Sequence, residues 1–423
     1  MRIKAFILFT VLLAALNASG QNEQQIDSLR ADSVAAAQFI PIVYDSITYT
    51  HQPTEAEILM SLPIVQKMPS WMSNYLISLL SGNVDRTREK KVDLALTAIP
   101  TYTREAGWGL SGIATGLYRA NRNDTLPNPS DFFVQFNASL NGFYVLTIKG
   151  NHLFTDNRSR LSYKSEIYRK NLDFWGITAQ ETAINPRTKY DRRQIDFQFD
   201  YTYKLNNAFD IGAQLRCDYT NAYRLDNPDY LLGKPREYYV TGLGLSIQLD
   251  TRDNLVTPTR GVHIAYKPMI YPQFAGNAHA TFHSHNIIAN YYQKLWKGSV
   301  LAFDFFTKLN SSETPWTMYE MMASDGIRMR GYYMGSTIDK NQITAQMELR
   351  QHIWYRFGIT AWGGTASLFP SINDIWDKDR KLRWQYNYGV GLRVEFKHNV
   401  NIRVDLGFGE HTRGVLFAIG EAF

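Results

Sequence analysis

Two short clusters in this chain combine charge with the backbone residues that fix its direction. The first is Arg328-Met329-Arg330-Gly331-Tyr332. Arg330 offers a planar fork of donors that matches a carboxylate, Gly331 permits a tight turn, and Tyr332 supplies a ring to pack on a wall. The second is Asp250-Thr251-Arg252-Asp253-Asn254, followed by Pro258 and Gly261. Such residues can hold a segment in place by ion pairing; they do not form a nucleophile with its base. Three enzyme motifs are absent as strings: the G-x-S-x-G elbow, the P-loop and H-E-x-x-H. Residues 107–112, Gly-Trp-Gly-Leu-Ser-Gly, match a dinucleotide fingerprint, but no helical pattern or βαβ unit follows. His279, His283 and His285 share one strand parity, yet no carboxylate or cysteine stands at ligand spacing. No catalytic site, metal or cofactor is expected, and nothing nominates the serine or histidine of a surface hydrolase.

The elements that must position these residues have a period of two. From Lys91 onward, apolar and aromatic residues alternate with polar, charged or glycine residues, most strictly over 382–396 and 343–353. The pattern recurs over 195–205, 209–219, 239–249, 262–270, 301–309, 400–408 and 415–423. Strands this long and this polar on one face suit a wall with lipid outside and a hydrated lumen inside. The sequence predicts a closed, all-β, transmembrane antiparallel β-barrel of about sixteen strands over 91–423, or roughly 21 residues per strand with its connection. Tight turns are expected near Asn206, Trp296-Lys297 and His398-Asn399, and long polar connections over 170–191, 223–236, 310–339 and 369–381. Short turns belong to the periplasmic side and long loops to the outside, with both chain ends in the periplasm. Phe423 is expected on the lipid side of the last strand. The wall closes where the first strand, near 91–100, meets the last, near 414–423. Pro100 removes a donor from that seam, and Gly414 and Gly420 weaken packing beside it.

In this arrangement a long loop over 310–339 carries Arg330 at its tip and can fold back into the lumen. There a carboxylate of inward parity, such as Glu348 in Ala345-Gln346-Met347-Glu348-Leu349-Arg350, can hold the guanidinium.

Composition agrees with a barrel wall. The chain has 423 residues, 14% of them aromatic, against a mean hydropathy of −0.31. Beyond the first twenty residues no apolar run reaches the ~18 needed for a spanning helix. The net charge of +6 comes without a basic block, so nucleic acid is not an expected partner. Arg2 and Lys4 precede an apolar stretch over 5–16 and then Asn-Ala-Ser-Gly, a signal peptide over 1–20. Residues 21–90 form a periplasmic segment, with a strand near 42–50 and two amphipathic helices over 54–80 that can dock a partner. Cys217 is the one cysteine, so no intrachain disulfide forms.

Taken in order, the two clusters, the strand around Glu348 and the opening Pro100-Thr101-Tyr102 to Trp108-Gly109 resemble the BamA/TamA family of outer-membrane assembly factors, the bacterial surface antigen type of barrel. The resemblance covers about 91–423. It implies that Arg328, Arg330, Gly331 and Tyr332 form the tip of the sixth outer loop and that Glu348 helps to lock it. It also makes Asp250, Arg252, Asp253, Pro258 and Gly261 a family turn. Two departures stand out. The strand that in the family carries a second carboxylate reads Trp362-Gly363-Gly364-Thr365-Ala366 here, which leaves Asp304, Glu395 and Asp405 as unranked substitutes. The periplasmic POTRA modules usual in the family have no counterpart in 21–90, which makes this a POTRA-less member. The implied function is insertion, assembly or translocation of outer-membrane proteins in a Gram-negative bacterium, through a lateral seam. The alternative is an accessory subunit or passive channel. Expected partners are outer-membrane lipids and lipopolysaccharide, with unfolded outer-membrane proteins or a subunit docking on 54–80.

Overall fold

The computed structural model describes residues 90–423, save 104–105, 121–128, 157, 355, 378–381 and 398–399, and only scattered positions before them. The chain divides into two compact units, Met1–Ser81 and Gly82–Phe423. In the first, Ile42–Tyr44 pairs with Ile47–Tyr49 as two short antiparallel strands rather than one. The expected signal peptide and most of the segment over 54–80 lie outside the described residues.

The second unit is one antiparallel sheet of sixteen strands, each paired with its neighbours in chain order. The strands are β1 (Val92–Thr103), β2 (Gly107–Tyr118), β3 (Ser130–Ser139), β4 (Tyr144–Leu153), β5 (Ser159–Phe174), β6 (Thr188–Lys204), β7 (Phe209–Tyr223) and β8 (Glu237–Asp250). They continue as β9 (Gly261–Tyr271), β10 (Phe282–Lys294), β11 (Ser299–Asn310), β12 (Asn341–Trp354), β13 (Phe357–Phe369), β14 (Gln385–Lys397), β15 (Val400–Gly409) and β16 (Thr412–Ile419). Among the described residues no helix is long and apolar enough to cross a membrane, which leaves crossing by strands open.

Alternation decides which residues face which side. On β12, Gln342, Thr344, Gln346, Glu348 and Arg350 are buried, while Ala345 and Met347 between them are exposed. On β14, Tyr386 and Tyr388 are exposed and Asn387 is buried. The polar residues thus line the inside and the aromatic face forms the outer wall. The expected connection over 170–191 is shorter than the sequence suggested. Lys170 to Phe174 and Thr188 to Asp191 stay in register as the ends of β5 and β6, with Leu172, Phe174 and Tyr190 buried in an apolar cluster and Asn171 Nδ2 donating to Asp191 across the pair.

The expected closed ring needs correction. β1 and β16 run side by side, but no hydrogen-bonded ladder joins them among the described residues. Pro100 lacks an N–H, and β16 ends at Ile419, where Gly420 adopts φ +88° and turns the chain away. The same turn corrects the expected place of Phe423. It lies beyond β16, and its backbone oxygen accepts from the inward-facing Arg350 guanidinium at 2.6 Å.

At the end of the long connections, three loops pack together. Phe174 and Ile177, Tyr230 and Leu231, and Trp316, Tyr319 and Ile338 form one buried apolar cluster. Burying each large side chain contributes about 1.5–3 kcal/mol, so the cluster anchors the connection over 311–340, termed loop six below. Polar bonds complete it: Trp316 Nε1 donates to the Pro235 carbonyl at 2.8 Å, and Arg192 donates to the Thr317 carbonyl at 2.7 Å.

Candidate functional site

Anchored there, loop six dips into the lumen and brings its arginines to the walls of β11 to β15. Arg330 is 2% exposed and splits its fork between two carboxylates. Nη2 donates to Glu348 Oε2 at 2.7 Å and Nη1 to Asp405 Oδ2 at 2.8 Å. Its guanidinium also lies 3.7 Å from the centre of the Trp362 ring, a cation–π contact in a site closed to water. Arg328 makes its own pair, bidentate with Asp304 at 2.7 and 2.8 Å, and reaches Asp325 at 2.8 Å.

The backbone around Arg330 is fixed just as tightly. Gly331 has φ +107°, and a Cβ there would stand 2.5 Å from the Gly407 carbonyl carbon, so only glycine fits. The Tyr332 hydroxyl donates to the Tyr386 carbonyl and accepts from the Glu410 N–H, both at 2.9 Å. Thr412 Oγ1 donates to the Gly331 carbonyl at 2.9 Å, and Asn387 donates to the Arg330 carbonyl at 3.2 Å. The loop tip therefore touches β14, β15 and β16, the last strands before the unpaired edge.

Of the three substitute carboxylates, Asp405 meets Arg330 and Asp304 meets Arg328. Glu395 stands further along β14, opposite Asn401. Gly364 explains why the second carboxylate sits elsewhere: a Cβ there would come 2.8 Å from both Asn387 Oδ1 and Gln346 Cβ.

Several residues of this network had not been singled out as sites in the sequence. Arg350 Nε donates to Glu348 Oε1 at 2.9 Å. Arg393 donates to Asp405 at 2.6 Å and to Glu421 at 3.0 Å. Arg403 donates to Asp405 at 3.3 Å and to the Gly326 carbonyl of loop six at 2.8 Å. Inward parity marks all three arginines, but the meeting of residues on β12, β14 and β15 depends on strand register. In this network four guanidiniums, from Arg330, Arg350, Arg393 and Arg403, surround three carboxylates, Glu348, Asp405 and Glu421.

The turn cluster is a separate structure at the opposite end of the wall. Arg252 grips Asp250 bidentately, at 2.9 and 2.6 Å. Asp253 accepts from the Thr259 and Arg260 N–H groups, and Asn254 from those of Val256 and Thr257. Burial raises the Asp253 carboxyl, but the Thr259 hydroxyl and the N–H groups of Thr259, Arg260 and Asn254 outweigh it and hold the carboxyl below its ordinary range. Pro258 is buried, and Gly261, at φ +111°, allows the Thr251 carbonyl to approach. The three histidines stay apart from any such cluster, and among the described residues no three metal-ligating side chains converge.

A family model, the Omp85 superfamily domain, matches residues 134–423. The chain belongs to the Omp85 superfamily. BamA from Haemophilus ducreyi lacking POTRA domains 1–3 is similar in fold, with a TM-score of 0.51 at 9% identity, over 78% of this chain and 70% of that one. CdiB from Acinetobacter baumannii has a TM-score of 0.51 at 11% identity, over 78% of this chain and 60% of that one, so this chain spans less than two thirds of its length. No curated protein matches by sequence. Membership of the Omp85 superfamily implies the outer membrane of a Gram-negative cell as the compartment of this barrel, and insertion or transport rather than enzymatic catalysis as the work of its relatives.

Proposed function

We propose that this Omp85 barrel inserts or translocates outer-membrane proteins through the seam between β1 and β16, with the short-turn end in the periplasm. The observation that carries this reading is the juxtaposition of an edge without a ladder and a loop pinned beside it. A sheet edge outside any ladder offers backbone donors and acceptors, and an extended client can add to it as a strand. Arg330, Glu348 and Asp405 keep loop six in the lumen and so keep the wall next to the seam in one shape. No covalent step is involved: the work is strand exchange at the edge, guided by a fixed electrostatic lock. Within the Omp85 superfamily this barrel is of the BamA/TamA type. Depletion of the protein, followed by quantification of folded outer-membrane proteins, is the test. A fall in several other barrels is expected; unchanged levels and assembly of all of them refute the proposal.

The second reading is an accessory subunit or channel, favoured by the amphipathic residues over 54–80. A stable stoichiometric partner after mild detergent extraction supports the subunit, and single-channel conductance of the purified barrel supports the pore.

A further inference from the structure

A cavity of about 310 Å³ opens inside the wall at the short-turn end, between the ends of β10 to β15 and the chain beyond β16. Three buried polar atoms on its inward-facing lining have no hydrogen-bond partner: Thr360 Oγ1, Arg350 Nη1 and Arg393 Nη2. The parent residues are between 3% and 9% exposed. Arg393 Nη2 stands 3.6 Å from Glu348 Oε2, too far for a hydrogen bond. Two of the three atoms are guanidinium nitrogens, which can only donate, and the hydroxyl can donate too. A buried donor without an acceptor is costly, and three around one space ask for a ligand rich in acceptors. Charge points the same way. Lys294, Arg350, Arg356 and Arg393 line the cavity against Glu395 and Glu421.

We propose that this cavity binds an oxyanion of the phosphate class. A tetrahedral oxyanion offers several acceptors, enough for both guanidinium nitrogens and the Thr360 hydroxyl, and its charge suits the excess of cations. The site is distinct from the Arg330 lock, although Arg350 and Arg393 reach both through different nitrogens. The ligand is either a free phosphate ester or the phosphate of a lipid headgroup, which share this chemistry.

Calorimetric titration of the full chain in detergent with inorganic phosphate, in a phosphate-free buffer, tests the site. Saturable binding at one site is expected. Thr360→Val, which leaves every arginine in place, weakens it by about tenfold or more. Thr360→Ser retains the wild-type affinity, because it keeps the hydroxyl. A flat wild-type titration overturns the proposal, since water alone then satisfies the donors; so does equal binding by Thr360→Val. If Thr360→Val does not fold, Thr360→Ala against Thr360→Ser makes the same comparison. In mixed micelles, competition between phosphatidylglycerol and phosphate supports a headgroup as the source, and binding of phosphate without competition supports a free ester.

Discussion

Removing a wall carboxylate will free loop six more than removing the arginine it holds. Without Arg330, the wall sets three guanidiniums, Arg350, Arg393 and Arg403, against three carboxylates, Glu348, Asp405 and Glu421. Docking adds the Arg330 charge, which gains two short bonds and the Trp362 face but leaves water entirely. In Arg330→Met the wall remains balanced, the desolvation cost disappears and a flexible thioether can occupy the place beside Trp362. The loss of docking is then small, about 1 kcal/mol, because buried ion pairs are often worth little more than an apolar substitute. In Glu348→Gln the wall carries an excess positive charge before Arg330 arrives. Arg330 still gives up its hydration, and Arg350 Nε faces an uncharged amide. Breaking a buried pair in this way costs roughly 3–5 kcal/mol.

Amide exchange of residues 325–333, measured by mass spectrometry on the purified barrel, reads this difference as local opening. A loss of that size speeds exchange by about 10²- to 10⁴-fold in Glu348→Gln, whereas Arg330→Met stays within about tenfold of the wild type. Asp405→Asn, which strips an acceptor from Arg330, Arg393 and Arg403 together, opens the loop at least as far as Glu348→Gln. Faster exchange in Arg330→Met than in both carboxylate variants would refute the reasoning, since attraction rather than charge balance would then dominate.

Other outcomes follow from the same contacts. Tyr332→Phe removes the hydroxyl between the Tyr386 carbonyl and the Glu410 N–H and costs about 1–3 kcal/mol, read as faster exchange at the β15–β16 turn. Gly331→Ala combines φ +107° with a clash against Gly407, so it displaces the tip by about 1–3 kcal/mol or more and raises protease sensitivity in loop six; unchanged digestion contradicts the close approach. The Asp339 carboxyl, at the base of loop six, is pushed up to about 6 by burial, against bonds from the Ala179 and Lys340 N–H groups and the nearby Lys340 charge; Asp374 adds to the rise. A carboxyl raised in the folded state is stabilising below its unfolded value near 3.8, and this contribution fades as pH rises through about 6, for a total of about 3 kcal/mol. After correction for intrinsic rates, residues 179–184 will exchange more slowly at about pH 5 than at about pH 7.5, and Asp339→Asn abolishes that difference.

The wall was legible from the sequence because burial on one face imposes period two, and the period survives substitution of one polar residue by another. The order of the strands followed, since each needs only a short turn or a loop to pair with the next. The seam was less legible. A ladder between β1 and β16 depends on where the last strand ends, and Gly420 ends it by a positive φ that leaves no trace in the alternation. The same turn carries Phe423 away from the lipid-facing side, where parity alone had put it.

Register explains the rest of what was hidden. Parity tells which side of the wall a residue faces but not which residues stand level across it. Asp405 lies opposite Gly391, and Glu395 opposite Asn401, so two carboxylates of equal parity sit at different heights in the lumen. Asp405, in register with Gly391, Thr360 and Arg350 and two residues along from the Glu348–Trp362 row, takes the second branch of the Arg330 fork. Gly364 and Gly391 are part of this answer. A Cβ at 391 would come 2.3 Å from Asp405 Oδ1, and one at 364 would meet Gln346 and Asn387. Gly364 leaves β13 without a carboxylate, and Gly391 on β14 makes room for the one that reaches across from β15. The second half of the lock thus rests on a strand two places from the seam. Motion of β15 or β16 at that edge must then be felt at Arg330, through Asp405 directly and through the Thr412 bond to Gly331. An edge that opens for a client while Asp405 stays in place would have to bend between β15 and β16, where Gly407 and Gly414 face each other without side chains to resist it.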